Sequence, residues 1–269
     1  MSVTSDSETF DDIRGVVLDL DGTVYRGEGA IPGAAEAVAA LRERGISVCF
    51  CSNNPTKTPA EYVDRLAGMG IDADESAVLP ASTVTRDYLR DSHPGEPTYL
   101  LGSDSLADYL RESGQRLVDD PRAASVFVAS WDERFDYGDM RDALAGIDDD
   151  TAFLGTDPDR TIPAAEGFVP GSGAIIGAVA RTVGREPDRV LGKPAPETAE
   201  DALARLGVPA ERCLVVGDRL DTDLRMGADH GMATALVLTG VSTRADAAGS
   251  AVDPDAVLDS LADLPALLD

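Results

Sequence analysis

The segment Gly-Val-Val-Leu-Asp-Leu-Asp-Gly-Thr-Val, residues 15–24, is the clearest indication of the fold. A nearly continuous apolar run leads directly into two carboxylates that lie two residues apart, at Asp19 and Asp21. Apolar runs of this kind are typical of strands that are covered on both faces in a parallel sheet. Gly22 allows the chain to turn sharply just after the strand. The segment therefore predicts a buried strand that brings two carboxylates to one edge of a sheet.

Further apolar runs end in polar residues in the same way, and helical patterns such as residues 34–44 and 59–69 lie between them. Alternating strands and helices predict right-handed βαβ units and an open α/β sheet, in which ligands bind beyond the carboxyl ends of the strands. We therefore expect the polar residues after the runs to meet at one site. The runs are Ile46–Cys51 before Ser52, Arg212–Val216 before Gly217-Asp218, and Ala233–Leu238 before Thr239-Gly240.

The chain has 269 residues, which favours two domains or one domain with a large insertion. The middle of the chain carries its own strand candidates, at residues 99–101, 126–128 and 152–154, with helical stretches between them. We predict a discontinuous catalytic core formed by residues 1–80 and 188–269, with an inserted α/β domain at residues 81–187.

The charge of the chain is strongly negative, with 49 acidic against 23 basic residues and a formal net charge of −26. Only two of the basic residues are lysines, Lys57 and Lys193. An acidic, lysine-poor surface resembles that of proteins from salt-accumulating archaea. Repulsion between the many carboxylates is strong in dilute buffer and is screened by concentrated salt. An acidic mesophilic protein is the alternative. Nucleic acid is a poor partner for such a field, because phosphate contacts need clustered Lys and Arg.

The cellular compartment follows from cysteine usage and from hydropathy. The three cysteines lie in or at the start of apolar runs, and their odd number gives no disulfide framework. The polar, acidic N-terminus is unlike a signal peptide, and the longest apolar stretch, around Ala174–Ala180, is too short to cross a bilayer. We expect a cytoplasmic protein without a membrane partner.

Asp19 and Asp21 suit phosphoryl transfer. A carboxylate is a suitable nucleophile for phosphorus because the acyl-phosphate it forms is readily hydrolysed, and a neighbouring carboxyl can exchange protons with the leaving oxygen and with water. An Asx turn at a strand end is an equally good interpretation of this motif alone.

Ser52-Asn53-Asn54 offers a hydroxyl and backbone amides for an anion, although a simple helix N-cap also explains it.

Lys193 and the segment around Asp218 complete the candidate residues. A lysine retained in a chain that uses arginine elsewhere suggests a compact point charge, as in phosphate neutralisation; Lys57, at a helix start, is expected to have a structural or supporting role. Mg²⁺ prefers oxygen ligands and usually takes one or two protein carboxylates. Asp19 and Asp218 would supply these, and Asp223 would orient the metal's waters.

The order, types and strand-end positions of these four motifs resemble the haloacid dehalogenase-like superfamily. The stretches Phe153–Asp159 and Gly167–Ala174 look like the C2-type cap of its subfamily IIA, which includes NagD-like, 4-nitrophenylphosphatase-like and phosphoglycolate phosphatase-like enzymes. Residues 132–137 fit the Asp-x-x-Phe-x-Tyr stretch of that cap. The resemblance covers the chain from about Gly15 to Gly240 and implies a Rossmann-like core with an inserted cap.

The resemblance also implies roles for single residues. Asp19 would be the nucleophile and Asp21 the general acid/base, which separates phosphatases from dehalogenases. The Mg²⁺ ligands would be Asp19, the carbonyl of Asp21, and Asp218, with Asp223 and Asn54 in support. Ser52, the amide of Asn53 and Lys193 would hold the phosphate.

The partner implied by the resemblance is a small phosphorylated metabolite, and the cap would close over the site and select the leaving group. Related caps often pair, so a homodimer through the cap is expected. The alternative class is a non-enzymatic receiver module that is phosphorylated on an Asp, but receivers are about half as long and carry no inserted cap.

Overall fold

The computed structural model describes residues 10–164 and 167–268. Its chain divides into two compact units. The first unit contains the residues up to Ser52, Pro59–Leu79, and the chain from Lys193 onwards; the second contains Asn53–Thr58 and Pro80–Gly192. The sequence placed the inserted domain at residues 81–187, so the second unit extends that range at its C-terminal end and adds a short segment after Ser52.

The first unit is built on a six-stranded sheet, and its strands from β14 to β4 run parallel, as the sequence predicts. The strands are β1 (Gly15–Asp19), β4 (Ser47–Ser52), β5 (Val78–Pro80), β12 (Cys213–Gly217), β13 (Ala233–Val237) and β14 (Ala256–Leu258). Their order in the sheet is β14-β13-β12-β1-β4-β5, which places β1 between β12 and β4. A short antiparallel pair, β2 (Tyr25–Arg26) and β3 (Gly29–Ala30), follows β1.

The central strands have continuous apolar sequences because they are covered on both faces. Every residue of β1 and of β12 is buried. The helices of this unit are α1 (Ala34–Glu43), α2 (Pro59–Gly68), α7 (Pro196–Leu206), α8 (Arg225–Asp229), α9 (Arg244–Gly249) and α10 (Leu264–Leu267). Helix α1 packs against β4, and α7 packs against both β1 and β4. One core cluster of the described residues joins apolar side chains of α1 to those of β1 and β4.

The second unit has a four-stranded parallel sheet of its own. The strands are β6 (Thr98–Leu101), β7 (Val126–Ala129), β8 (Ala152–Gly155) and β11 (Arg189–Val190), in the order β11-β8-β7-β6. The helices are α3 (Ala81–Ser92), α4 (Asp104–Glu112), α5 (Tyr137–Gly146) and α6 (Ser172–Val183). An antiparallel hairpin of β9 (Thr161–Ala164) and β10 (Gly167–Pro170) stands apart from this sheet. The three strand candidates in the middle of the sequence are thus confirmed as β6, β7 and β8.

Local signals explain where the helices of the second unit begin. The Ser103 hydroxyl accepts a hydrogen bond from the backbone N–H of Leu106 at the start of α4, and Asp136 and Asp139 form a capping box at the start of α5. Helix α6 follows Gly171 directly. No helix in the described part of the chain has the length and hydropathy needed to cross a membrane.

Candidate active site

Three neighbouring strands end in the predicted site residues. Asp19 is the last residue of β1, Ser52 is the last residue of β4, and Asp218 directly follows β12. The register pairs Asp19 with Cys51 and Leu18 with Val216, so the carboxyl ends of the three strands lie side by side. The sheet order therefore brings together residues that lie almost 200 positions apart in the sequence.

The carboxylates of Asp19, Asp218 and Asp223 form one cluster. Their ligand oxygens lie within 4.8 Å of one another, and all three side chains are buried. Asp223 comes from a π-helical turn, Leu220–Leu224, that follows β12. Within the described residues, Asp19 Oδ2 and Asp218 Oδ1 are buried oxygens that accept no hydrogen bond. Buried carboxylate oxygens without donors fit a hard divalent cation, so this donor set suits Mg²⁺.

Lys193 supplies the positive charge within this cluster. Its Nζ donates to Asp19 Oδ1 at 2.5 Å and to the carbonyl oxygen of Cys51 at 2.9 Å. The same ammonium group lies 2.8 Å from Asp223 Oδ1. Asp223 is held from its other side, because Oδ2 accepts the backbone N–H of Arg219 at 3.1 Å. Three carboxylates and one ammonium leave the cluster with a formal charge of −2, which a divalent cation balances.

Burial and mutual repulsion shift the pKa values of the charged groups in the cluster. Burial raises the pKa of Asp218 to about 7, and the neighbouring charge of Asp223 adds to the rise. Burial also raises the pKa of Asp19, against the opposing effect of the Lys193 ammonium. Burial on its own would lower the pKa of Lys193, but the carboxylates of Asp19 and Asp223 outweigh it and hold that pKa above its usual value. A bound cation would relieve this repulsion between the carboxylates.

Close backbone approaches fix the position of Asp218. Its Oδ2 accepts the backbone N–H of Val241 at 2.6 Å. The φ of Gly22 is 94°, and a Cβ at that position would lie 2.6 Å from Asp218 Oδ2. The Thr239 hydroxyl donates to the Gly22 carbonyl oxygen at 2.5 Å and ties the loop after β13 to the loop after β1. The predicted turn at Gly22 is thus required both by the backbone conformation and by the space that Asp218 occupies.

Two buried tyrosines contact site residues, and sequence reasoning missed both of them. The Tyr25 hydroxyl donates to Asp21 Oδ2 at 3.1 Å. The Tyr62 hydroxyl, from α2, lies 3.1 Å from Ser52 Oγ. Both tyrosine side chains are fully buried. A tyrosine in an apolar pattern resembles any core residue, so only the contact identifies these two.

The second unit holds the other residues of the predicted phosphate-binding motif. Asn53 is buried there, and a Cβ on Gly192 would lie 2.9 Å from its Oδ1. Asn54 Oδ1 accepts from the backbone N–H and the hydroxyl of Thr56, at 2.8 and 2.7 Å. The carbonyl oxygen of Lys57 accepts the Ser82 hydroxyl at 2.7 Å, a structural contact. The phosphate-binding role of Asn53 and the supporting role of Asn54 stay predictions.

Comparison with known proteins bears on what this site does. The family model of the haloacid dehalogenase-like hydrolases matches residues 16–116, and the related HAD-hydrolase-like model matches residues 190–264. An acid sugar phosphatase of Staphylococcus aureus is 36% identical over 241 residues, which cover 90% of this chain and 92% of the relative. The chain belongs to the haloacid dehalogenase-like hydrolase family.

Solved structures of this family have the same fold. A p-nitrophenyl phosphatase from Archaeoglobus fulgidus superposes with a TM-score of 0.89 at 34% identity, over 95% of this chain and 99% of that one. NagD from Escherichia coli K-12 gives a TM-score of 0.84 at 28% identity, over 93% and 98% of the two chains. These likenesses confirm the predicted α/β fold with its C2-type cap, the NagD-like subfamily and the phosphatase class of enzyme. They leave no support for the receiver alternative.

Proposed function

We propose that this protein is a Mg²⁺-dependent phosphatase that hydrolyses small phosphate monoesters through an aspartyl-phosphate on Asp19. The observation that supports this most directly is the cluster of Asp19, Asp218, Asp223 and Lys193 at the carboxyl ends of β1 and β12. It combines a nucleophilic carboxylate, oxygen ligands for a cation and a buried ammonium group. The names of the relatives favour sugar phosphates and p-nitrophenyl phosphate as substrates, and phosphoglycolate-like esters and nucleoside monophosphates are further candidates.

The proposed reaction has two steps. Asp19 attacks phosphorus with one carboxylate oxygen, the bond to the leaving oxygen breaks, and Asp21 gives that oxygen a proton. Asp21 then takes a proton from the water that attacks the aspartyl-phosphate, which releases inorganic phosphate and restores Asp19. Lys193 and the Ser52 hydroxyl bind the phosphoryl oxygens. A cation held by Asp19, Asp218 and the Asp21 carbonyl would neutralise charge on the transferring phosphoryl group.

Asp19→Asn tests the nucleophile. The amide nearly fills the same volume, but it is a far weaker nucleophile, so we expect Mg²⁺-dependent hydrolysis of p-nitrophenyl phosphate to fall by about 10³-fold or more. The matched control is Asp221→Asn, an exposed carboxylate in the same turn as Asp223. Circular dichroism should show an unchanged fold in both variants. Full activity of Asp19→Asn would contradict the proposal.

The covalent intermediate has a separate test. Asp21→Asn should still release nitrophenolate from p-nitrophenyl phosphate, because this leaving group needs little protonation, but it should hydrolyse the aspartyl-phosphate slowly. We expect a burst of about one nitrophenolate per chain and a protein whose mass has increased by one phosphoryl group. The modification should map to the peptide that contains Asp19. A burst without any covalent adduct would argue for direct attack by water.

We propose that the enzyme is halophilic, since a net charge of −26 is screened best at high ionic strength. The cytoplasmic location that cysteine usage predicts is part of the same proposal. Activity and Tm should both increase from dilute buffer to molar KCl. Equal Tm values in the two buffers would favour the acidic mesophilic alternative.

We also propose that the second unit forms a homodimer. Four large apolar side chains are exposed on this unit, and they lie on α5 and β10: Tyr137, Leu144, Phe168 and Val169. Large apolar side chains exposed on a protein surface are typical of interfaces. Light scattering coupled to gel filtration should give twice the chain mass, and Phe168→Ser should shift the equilibrium toward the monomer.

A further inference from the structure

The loop after β1 folds back on itself and returns Tyr25 to Asp21. The backbone N–H of Gly22 donates to the Tyr25 carbonyl oxygen at 2.8 Å, and the N–H of Tyr25 donates to the Leu20 carbonyl oxygen at 3.1 Å. Asp21 and Tyr25 also form an isolated β-bridge. These bonds close a loop of six residues, and within it the Tyr25 hydroxyl reaches Asp21 Oδ2 at 3.1 Å. The contact is therefore set by the backbone of the loop as well as by the two side chains.

The environment of Tyr25 holds its phenol in place as a donor. The side chain is fully buried, and the guanidinium carbon of Arg65 lies 4.0 Å from the centre of its ring. Arg65 in turn donates to the Gly27 carbonyl oxygen at 2.5 Å, which ties α2 to the loop that carries Tyr25. The Tyr25 hydroxyl, held in this way, donates to the carboxyl of Asp21.

We propose that Tyr25 is a positioning residue for acid/base catalysis, which fixes the orientation of the Asp21 carboxyl through its hydrogen bond to Oδ2. This inference rests on the role that the proposed function gives to Asp21. In the first step the proton of the Asp21 carboxyl moves to the leaving oxygen as its bond to phosphorus breaks, and Tyr25 keeps its own proton. In the second step the Asp21 carboxylate takes a proton from the attacking water. Tyr25 gains and loses nothing in the cycle, so it acts only through Asp21.

The inference predicts a dependence on the leaving group. A sugar alkoxide is a poor leaving group and needs the Asp21 proton, whereas p-nitrophenolate leaves with little help. In Tyr25→Phe we expect kcat/KM for a sugar phosphate to fall about tenfold or more, as for the loss of a hydrogen bond to a charged group. The loss on p-nitrophenyl phosphate should be several-fold smaller. A purely structural role would lower both values by the same factor.

Two controls locate the effect. Asp21→Asn should show the same leaving-group dependence with a larger loss of kcat/KM. The double variant with Tyr25→Phe should have a kcat/KM on the sugar phosphate no lower than that of Asp21→Asn alone. The two losses are not additive because Tyr25 acts through Asp21. Tyr62→Phe removes the other buried phenol, which contacts Ser52, and should affect both esters equally. If Tyr25→Phe folds poorly, Tyr25→Met replaces the ring with an adaptable apolar side chain and removes the same donor.

The outcomes separate this inference from the proposed function. If Asp21→Asn lowers kcat/KM, which reports the first step alone, by the same factor for both esters, the acid role of Asp21 is wrong. If Asp21→Asn discriminates between the esters but Tyr25→Phe and Tyr25→Met do not, only the role of Tyr25 is overturned. The same holds if the double variant loses activity additively on the sugar phosphate.

Discussion

The ammonium group of Lys193 lies 2.8 Å from Asp223 Oδ1, and the two side chains are only 2% and 1% exposed. This contact gives Asp223 a part beyond the support of metal waters that the sequence suggested, because it makes Asp223 a charge partner of Lys193, the lysine for which we propose phosphate binding. The same ammonium group contacts Asp19. Lys193 therefore links the candidate nucleophile of β1 to the turn after β12.

Removal of the Lys193 charge should destabilise the protein. Lys193→Met keeps much of the side-chain volume but removes the buried ammonium group that contacts Asp19 and Asp223. Breaking a buried ion pair in this way costs about 3–5 kcal/mol of unfolding free energy. Denaturant titration in EDTA should show this loss, and phosphatase activity should be abolished. Lys57→Met, which changes the only other lysine of the chain, should alter the unfolding free energy much less; equal losses in the two variants would contradict the prediction.

Asp218 should couple stability to Mg²⁺. In wild type, Mg²⁺ at about 100 times its Kd should add about 2.7 kcal/mol to the unfolding free energy. Asp218→Asn removes a ligand and also removes a repelling charge, so this variant should be at least as stable as wild type in EDTA and less stable than wild type in Mg²⁺. Thermal unfolding with and without metal measures both effects. Asp221→Asn, whose side chain is 66% exposed in wild type, should keep the full response to Mg²⁺.

Gly22→Ala tests the close approach to Asp218. The substitution forces a Cβ onto a backbone with a φ of 94° and into contact with the Asp218 carboxylate. We expect a loss of about 1–3 kcal/mol in unfolding free energy and a weaker affinity for Mg²⁺. Gly27→Ala is the matched control, since Gly27 also has a positive φ but a Cβ there would meet no atom within 4 Å. Its loss should be confined to backbone strain, with no change in the affinity for Mg²⁺.

Asp157 should make the stability of the protein depend on pH. Burial, with a smaller contribution from Asp159, raises the pKa of Asp157 to about 8. An acid whose pKa is higher in the folded than in the unfolded state binds more protons when folded, so stability is highest below the unfolded pKa and falls as the pH rises from about 4 to about 8. Asp157→Asn should reduce that fall. Calorimetric Tm values for both proteins across this range measure the difference, and parallel pH curves would contradict it.

The catalytic strands could be predicted because their sequences carry two independent signals. Continuous apolar character identified β1, β4, β12 and β13, and the polar residues at their ends identified Asp19, Ser52 and Asp218. The edge strands β5 and β14 have only three residues each, which is too short for a periodic pattern. The β9–β10 hairpin contains Pro163 and Pro170, residues that weigh against a strand in any sequence-based argument.

The contacts of the site were less predictable than its residues. Tyr25 and Tyr62 have ordinary sequence contexts, and their value as hydrogen-bond donors depends on a loop closure and on a helix packing that no local pattern encodes. Asp223 was placed near the metal by its spacing from Asp218, but its contact with Lys193 joins segments 30 residues apart. The spacing of residues in the sequence predicts which side chains lie close together on one helix or turn. A contact between distant segments, such as that of Lys193 with Asp223, forms only when the whole sheet has folded.

The position of β1 in the middle of its sheet has a consequence for synthesis of the chain. Its partner β12 begins at Cys213, so in a nascent chain still on the ribosome β4 is available to pair with β1 long before β12 emerges. Until then one side of β1 exposes unpaired N–H and C=O groups, which can recruit other chains. Translation that stops before Cys213 should therefore yield a fragment that is both inert and prone to aggregate.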